Sequence, residues 1–591
     1  MRKSIKKLFA IMLAAAMAVG LTACGGSGEQ SSEQQKESQA SSDGNTNESK
    51  ESSGSAEADR EPITLNVATI VSMSWNDYSD NTVAEYIRDK FGITFNVQDI
   101  SGNKEALMAS GDLPDIFIIE ADEVLPLIES GFILPLDELM EKHDATSCFF
   151  PPAKLEETMD FQRKNVFQSD HIYGIMGYDY GGLGASLGTQ QWGLNVDWER
   201  YSQLGYPELD ADVDQIYKLL VDMVNLNPTT ENGLQVYAIA YPTIGMRGNS
   251  LYSGHSLGYY PITDYAHVNC KTQEISLIYT DPESDIWQYN HMYWKLHQDG
   301  LLDPDSINAN PENEFDNNSL KAVNGQYVAT LYHDITGNAT ATKASEGVAG
   351  GFEFIPLKGC TVDGTFEISE ENLGKGVGNL RCISSKTKYA DRIMEFMKWW
   401  YTPEGSRILT TGVEGDTWNY VDGVPTLTEE AKVAKYEGQS NDYYFSSGIR
   451  FGWNGGTGEP HPDGYSVNLF DEQSYLLEYA SAMEKDVAAH YGMTMTEKVI
   501  EMHDKGELYD HDFLNGNATA AVNTLPDDLQ RILNTVDTQM YEGMAACITE
   551  AKTEEEYFQM RDDLIKAVKE TGMDKVNEWF LTTYNAALNE E

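Results

Sequence analysis

Ile63-Thr-Leu-Asn-Val-Ala-Thr-Ile-Val71, then Ile93-Thr-Phe-Asn-Val97, then Pro114-Asp-Ile-Phe-Ile-Ile119 are three short runs rich in β-branched and aromatic residues. Each has the length and composition of a strand. Between the first two, Val83, Ile87 and Phe91 recur at helical spacing behind a capping Asp80 or Asn81, and Gly92 stops the helix. Between the second and third, the residues from Lys104 to Ala109 suit a short helix. Strand, helix, strand, helix, strand predicts a parallel sheet covered by helices, an α/β fold. In an open sheet of this kind ligands bind beyond the carboxyl ends of the strands. Two segments therefore face a potential site: Ser72-Met-Ser-Trp-Asn-Asp-Tyr78 and Glu120-Ala-Asp122.

Toward the N-terminus, Arg2, Lys3, Lys6 and Lys7 precede an apolar run from Leu8 to Ala18 that ends in Leu21-Thr-Ala-Cys24. Even counted on to Leu21, about 14 residues, the run is short of the roughly 20 that span a bilayer, and a small residue before a cysteine suits signal processing. Residues 1–23 are read as a signal peptide, against an ordinary cleaved signal followed by a chance cysteine. The end of the leader resembles a bacterial lipobox, which implies a diacylglyceryl thioether on Cys24 and a stable two-chain anchor at the extracytoplasmic face of the cell membrane. From Gly25 to Arg60 the chain has no aromatic or β-branched aliphatic residue. It cannot bury a core, so residues 24–60 are expected to be a lipidated cysteine with a disordered tether.

Residues 61–591 are too many for one core and enough for two lobes. The sequence holds 41 Lys and Arg against 94 Asp and Glu, and four of the basic residues lie in the leader. What remains is 37 against 94, a formal charge of −57. This balance argues against nucleic acid as a partner, since phosphate binding needs a basic face. Five cysteines beyond Cys24 are widely spaced and form no C-x-x-C pair, which argues against a zinc ribbon or redox motif. Cys360 and Cys382 are the nearest pair in sequence.

Ala109-Ser-Gly-Asp-Leu-Pro-Asp-Ile-Phe117 and Glu129-Ser-Gly-Phe-Ile-Leu-Pro-Leu-Asp137 resemble paired elements of extracellular solute-binding proteins of the maltose-binding superfamily. Further matches follow in order: Tyr173-Gly-Ile175, Leu194-Asn-Val-Asp-Trp198 with Leu204-Gly-Tyr-Pro207, and Asp299-Gly-Leu-Leu-Asp-Pro304. Ile383-Ser-Ser-Lys386, the run from Ala390 to Tyr401 and Thr402-Pro-Glu-Gly405 are similar to the family's return strand, its adjacent helix and the turn after it. Gly412-Val-Glu-Gly415 with Tyr420-Val-Asp-Gly423 narrows the resemblance to a lipoprotein branch associated with oligosaccharide uptake. It extends to the end of the chain, including a C-terminal helix with Leu564, Val568 and Trp579.

The resemblance implies a two-lobed type II periplasmic-binding-protein fold with an interlobe cleft. Lobe one is expected at 61–175 with 381–425, and lobe two at 176–380 with 426–591. The implied ligand is a carbohydrate, the implied partners are the permease subunits of an ABC transporter, and the implied state is a monomer without cofactor. Sugar binding needs flat apolar faces for the C–H side of each ring and amides or carboxylates for the hydroxyls. Trp75, Trp192, Trp418 and Trp453 are candidate stacking surfaces, with Asn76, Asp77 and Glu120 as hydrogen-bonding groups. For any one Trp, core packing is as good an explanation. Tyr178-Asp-Tyr180 is a further candidate, with a hinge or turn role as its alternative, whereas Trp399, Trp400 and Trp579 sit in helical patterns that suit packing.

Gly254-His-Ser-Leu-Gly258 and Gly184-Ala-Ser-Leu-Gly188 fit G-x-S-x-G, but neither follows a strand pattern as a nucleophile elbow requires. Asp210-Ala-Asp-Val-Asp214 begins like a calcium loop, yet its sixth position is Gln215 and its twelfth Val221, so it is read as a helix start. Asn227-Pro-Thr-Thr-Glu-Asn-Gly233 holds too few carboxylates for calcium. His291 and His297, six apart on a helix, do not share a face as a zinc pair would. No catalytic residue and no metal site is assigned. The rival is a secreted carbohydrate-active hydrolase or a surface polysaccharide-binding protein, whose paired carboxylates a sequence with 94 acids does not rule out. If Cys24 carries the anchor, Cys24→Ala releases the protein from membranes; retention with unchanged detergent partitioning refutes the assignment.

Overall fold

The structure is a computed structural model. It describes residues 60–589 except 70–81, 100–103, 121–122, 151–153, 177–192, 242–252, 308–310, 332–338, 344–349, 363–378, 437–460, 472–474, 476–477 and the single positions 341, 479 and 524. The expected cap at Asp80 or Asn81, the 184–188 motif and Tyr178–Tyr180 lie outside the described residues.

The strands in chain order are β1 (Ile63–Thr69), β2 (Ile93–Asp99), β3 (Ile116–Glu120), β4 (Gly174–Met176), β5 (Asn195–Asp197), β6 (Tyr259–Thr263), β7 (Ala266–Asn269), β8 (Ile275–Ser276), β9 (Ala329–Thr330), β10 (Phe352–Phe354), β11 (Asn379–Ile383), β12 (Trp418–Val421) and β13 (Val424–Leu427). They form sheets of order β2-β1-β3-β11-β4, β10-β5-β9, β6-β7-β8 and β12-β13. The first sheet opens as predicted, with β1 parallel to both β2 and β3. The helices Thr82–Phe91 and Lys104–Ser110 connect these strands. Gly92, at φ +65°, ends the first of them and donates its N–H to the Arg88 carbonyl at 2.8 Å.

β11 enters this sheet antiparallel between β3 and β4, with Cys382 opposite Phe117 on one side and Gly174 on the other. It brings the helices Ala390–Trp400 and Pro403–Thr411, whose Ile393, Phe396, Met397 and Trp400 pack into the same core as Leu65, Phe117 and Ile118. Trp399 and Trp400 are buried, as their helical spacing suggested. Thr402 caps the second helix by accepting from the Gly405 N–H at 3.1 Å, with Pro403 in the first turn.

A second, larger core takes its residues from 194–362 and again from 483–584. Its β5 lies between β10 and β9, and Asp197 at the end of β5 caps the helix Trp198–Gln203 through the Arg200 N–H. The helix Val213–Leu226 starts at Asp212, whose carboxylate accepts from the N–H groups of Asp214 and Gln215. The Asp210 run is thus a helix start. The expected single C-terminal helix is two, Glu554–Thr571 and Met573–Leu588, because Gly572 at φ +120° breaks the path. Cys360 belongs to this core and Cys382 to the first, so the pair nearest in sequence is not a bridge; none of the described cysteines, from Cys148 to Cys547, is in a disulfide.

Glu353 on β10 is buried, and its Oε1 accepts from the Phe354 N–H at 3.1 Å. Burial, helped by repulsion from Glu484, pushes its carboxyl up to about 8 from an ordinary 4.5. Between those values the folded chain holds a proton that the unfolded chain has lost, so stability falls as pH rises from about 4.5 to about 8. Glu353→Gln should remove this loss. Its melting temperature should exceed that of the parent at pH 8 and match it at pH 4; equal melting temperatures at both would mean that the carboxyl is not held protonated.

Candidate functional site

β1, β2 and β3 end on one edge of the first sheet at Thr69, Asp99 and Glu120. β11 enters from the same edge, with Asn379 opposite Glu120, and β4 leaves there, with Met176 opposite Leu380. Residues 70–81, 100–103, 121–123, 177–193 and 363–378 are the connections to this edge. It is the carboxyl edge of the parallel strands, where an open α/β sheet receives its ligand.

Trp75, Asn76 and Asp77 belong to the connection that leaves β1, and Trp192 to the one that leaves β4. These four, with Trp453 and Cys24, lie outside the described residues. Glu120 is the last residue of β3, at the edge itself. The chain enters the second core at Gly193, directly after Trp192, in a conformation of φ +133°. Asn195 Nδ2 donates to the Gly193 carbonyl at 3.0 Å, and a Cβ at this position would lie 3.2 Å from the Phe354 ring. Only glycine suits this entry.

Trp418 differs from the expectation for a stacking residue. It is 5% exposed and packs with Leu427, Ala431, Leu469 and Phe470. Its indole N–H donates to the Gly412 carbonyl at 3.0 Å, and the Arg407 guanidinium lies over its ring at 5.3 Å. One face is covered by a cation and the ring is closed in by aliphatic and aromatic neighbours, which is the environment of a packing residue. Arg407 is itself buried and makes a two-point contact with Asp463, with Nη2 at 3.0 Å from Oδ1. Tyr420 donates to the other Asp463 oxygen at 2.8 Å. Burial opposes ionisation of Asp463, but the hydrogen bonds from Arg407, the Tyr465 N–H and Tyr420 outweigh it and hold the carboxyl well below the usual range. This clamp fixes the β12–β13 hairpin. The sequence shows no sign of it, since Arg407 and Asp463 stand 56 positions apart.

Gly254–Gly258 forms a buried turn in which Ser256 is 1% exposed. A nucleophile must be reached by substrate, and this serine is not. Nearby, His267 Nδ1 meets Asp285 Oδ2 at 2.9 Å with both side chains fully buried. Thr230 and Leu234 close the 227–233 segment as a tight turn, the Thr230 N–H donating to the Leu234 carbonyl at 2.8 Å. Among the described residues no three His, Cys, Asp or Glu side chains are grouped to hold a metal. Two cavities of about 380 Å³ lie away from the strand edge, one beside Trp399, Pro403 and Pro462 and one between Lys164, Asn165 and the Thr582–Ala587 face.

No family model matches the chain, and no curated protein matches it. Solved structures do. The fold is that of the two-lobed substrate-binding proteins of ABC transporters. An EF-hand mutant of the Streptococcus pneumoniae substrate-binding protein FusA, in complex with fructo-nystose, superposes with a TM-score of 0.57 at 15% identity, over 90% of this chain and 100% of that one. An HMO-binding solute-binding protein from Bifidobacterium longum infantis gives 0.56 at 14% identity, over 89% and 99%. The alginate-binding protein AlgQ2, without calcium ion, gives 0.55 at 14%, over 89% and 98%.

The placement of Trp418 predicts a stability defect. Trp418→Ala should cost about 3–5 kcal/mol, as for a large buried aromatic. A melting temperature within a degree of the parent's would return this residue to the candidate stacking surfaces.

Proposed function

We propose that the chain is a lipid-anchored receptor that captures an oligosaccharide outside the cell and hands it to the permease subunits of an ABC importer, acting as a monomer and catalysing nothing. The observation that carries this is the superposition over 89–90% of this chain and 98–100% of proteins whose names give fructo-nystose, HMO and alginate as what they bind.

Lobe one is assigned to 61–175 with 381–425 and lobe two to 176–380 with 426–591. Two separate cores, one drawn from 65–175 and 380–409 and the other from 194–362 and 483–584, support that division. Ligand binds between the lobes, favours the closed arrangement, and the closed receptor docks on the permease. Trp75, Trp192 and Trp453 supply ring faces, and Asn76, Asp77 and Glu120 supply hydrogen bonds at the carboxyl edge of the first sheet. Trp418 is left to packing.

Thermal-shift screening of the full-length chain in detergent against defined oligosaccharides tests the function. A bound sugar at 100 times its Kd should stabilise the protein by about 2.7 kcal/mol. The sugar should be recovered unchanged, whereas shortened products would favour the hydrolase. Trp75→Ala should then weaken binding about 5- to 150-fold, the equivalent of about 1–3 kcal/mol of lost ring contact, with the fold intact. Wild-type affinity in this variant and in the Ala variants of Trp192 and Trp453 would refute the site.

A further inference from the structure

We infer that Tyr420, on the β12–β13 hairpin, is a stacking surface for the sugar at the carboxyl edge of the first sheet, in the role that the sequence suggested for Trp418. This rests on the carbohydrate reading and adds to it a ring whose surroundings are described. Two sets of contacts place the hairpin at that edge. β1 and β2 are parallel, so the helix Thr82–Phe91 between them runs back from the edge where β1 ends to the edge where β2 begins. Its first residue therefore stands at the carboxyl edge, and Thr82 Oγ1 donates to Asp416 Oδ2 at 2.6 Å. Asp416 belongs to the turn that leads into β12, closed by the Gly415 N–H on the Trp418 carbonyl at 2.8 Å. The neighbouring helix Ala390–Trp400 agrees with this direction. It starts at the opposite edge, where Arg392 Nη1 donates to the Phe91 carbonyl at 2.9 Å, and by Trp399 it has reached Tyr86, whose ring it stacks on at 5.7 Å.

The ring itself is held at two points and left open elsewhere. Tyr420 and Trp418 are two apart on β12 and so share a face of the strand, and their rings meet edge to face with centroids 5.2 Å apart and planes at 79°. The Tyr420 hydroxyl donates to Asp463 at 2.8 Å, and Asp463 is in turn gripped by the buried Arg407. The strand carrying the ring is fixed as well, because Asp422 and Gly423 form a two-residue turn with φ of +52° and +84°, the pairing that a tight hairpin asks for. With all this Tyr420 stays 42% exposed. A free surface tyrosine gives up rotamer freedom when a ligand settles on it, whereas a ring already fixed at its hydroxyl and its edge does not. Trp418 is closed off by Arg407 and its apolar neighbours, so the flat apolar surface that the hairpin offers to the C–H side of a sugar ring is that of Tyr420.

Titration calorimetry on the full-length chain in detergent decides the matter. The probes are tri- and tetrasaccharides of fructan, β-galactoside and alginate type, and the one that the parent binds most tightly is then titrated into three variants. Tyr420→Ala should weaken it about 5- to 30-fold, while Tyr420→Phe, which keeps the ring and loses only the hydrogen bond to Asp463, should stay within about threefold of the parent. Val421→Ala, on the opposite face of the same strand, should leave the Kd unchanged. Should Tyr420→Ala fail to fold, Tyr420→Leu takes its place, filling the volume without an aromatic face, with the same outcome expected. A parent-like Kd in the variant that lacks the ring would overturn the inference and leave the carbohydrate reading standing. Equal weakening in Tyr420→Phe and Tyr420→Ala would trace the effect to the Asp463 clamp rather than to stacking, and would overturn it too. A parent that binds none of the saccharides would overturn the carbohydrate reading itself, and the role of Tyr420 with it.

Discussion

The first sheet is complete only when β11 has been inserted between β3 and β4. Both neighbours precede the second core in sequence, and β11 follows most of it. The hydrogen bonds of a central strand therefore depend on the chain leaving one core, building part of another and coming back. A strand inserted so late closes a long loop, and loop closure must be met before the contacts it permits are gained. The compensation lies in what β11 brings with it. The helix Ala390–Trp400 buries Ile393, Phe396, Met397 and Trp400 against Leu65, Phe117 and Ile118, so the return strand and its helix seal both a sheet and a core.

This return also sets the geometry of the candidate site. Because β11 runs antiparallel to β3, its first residue rather than its last lies at the carboxyl edge of the parallel strands. The connection from the second core consequently arrives where the β1 and β3 connections depart. The connections that leave β1, β3 and β4 and the one that enters β11 share one edge of the sheet for that reason, although they lie far apart in the sequence.

Local signals were enough for the opening of the fold. β1 to β3 and their helices follow from β-branched runs, helical spacing and Gly92, all decided within a few residues. The Thr402 cap with Pro403, and the Asp212 helix start, are equally local. What the sequence concealed depends on partners far away. Trp418 reads as a loop tryptophan after a glycine turn, and it is buried because the Arg407 guanidinium and the Gly412 carbonyl occupy its face and its N–H. Gly572 reads as a tolerable glycine within one helix, yet its φ of +120° divides two. For the site, the sequence supplied residue types suited to sugar and the strand ends they follow. Their arrangement is a matter of lobe packing, which no local pattern encodes.

The thiols of this protein carry a different consequence. Cys360, Cys382 and Cys547 are buried as free cysteines, and burial pushes each thiol up to about 12. A thiol so held has almost no thiolate at neutral pH, and thiolate is the species that exchanges, alkylates and oxidises. Neither core is stapled by a bridge that a reductant could open, and these thiols offer little to an oxidant. The fold is thus insulated from the redox potential of its surroundings, and a protein built in this way keeps its shape under strongly reducing conditions as well as in air.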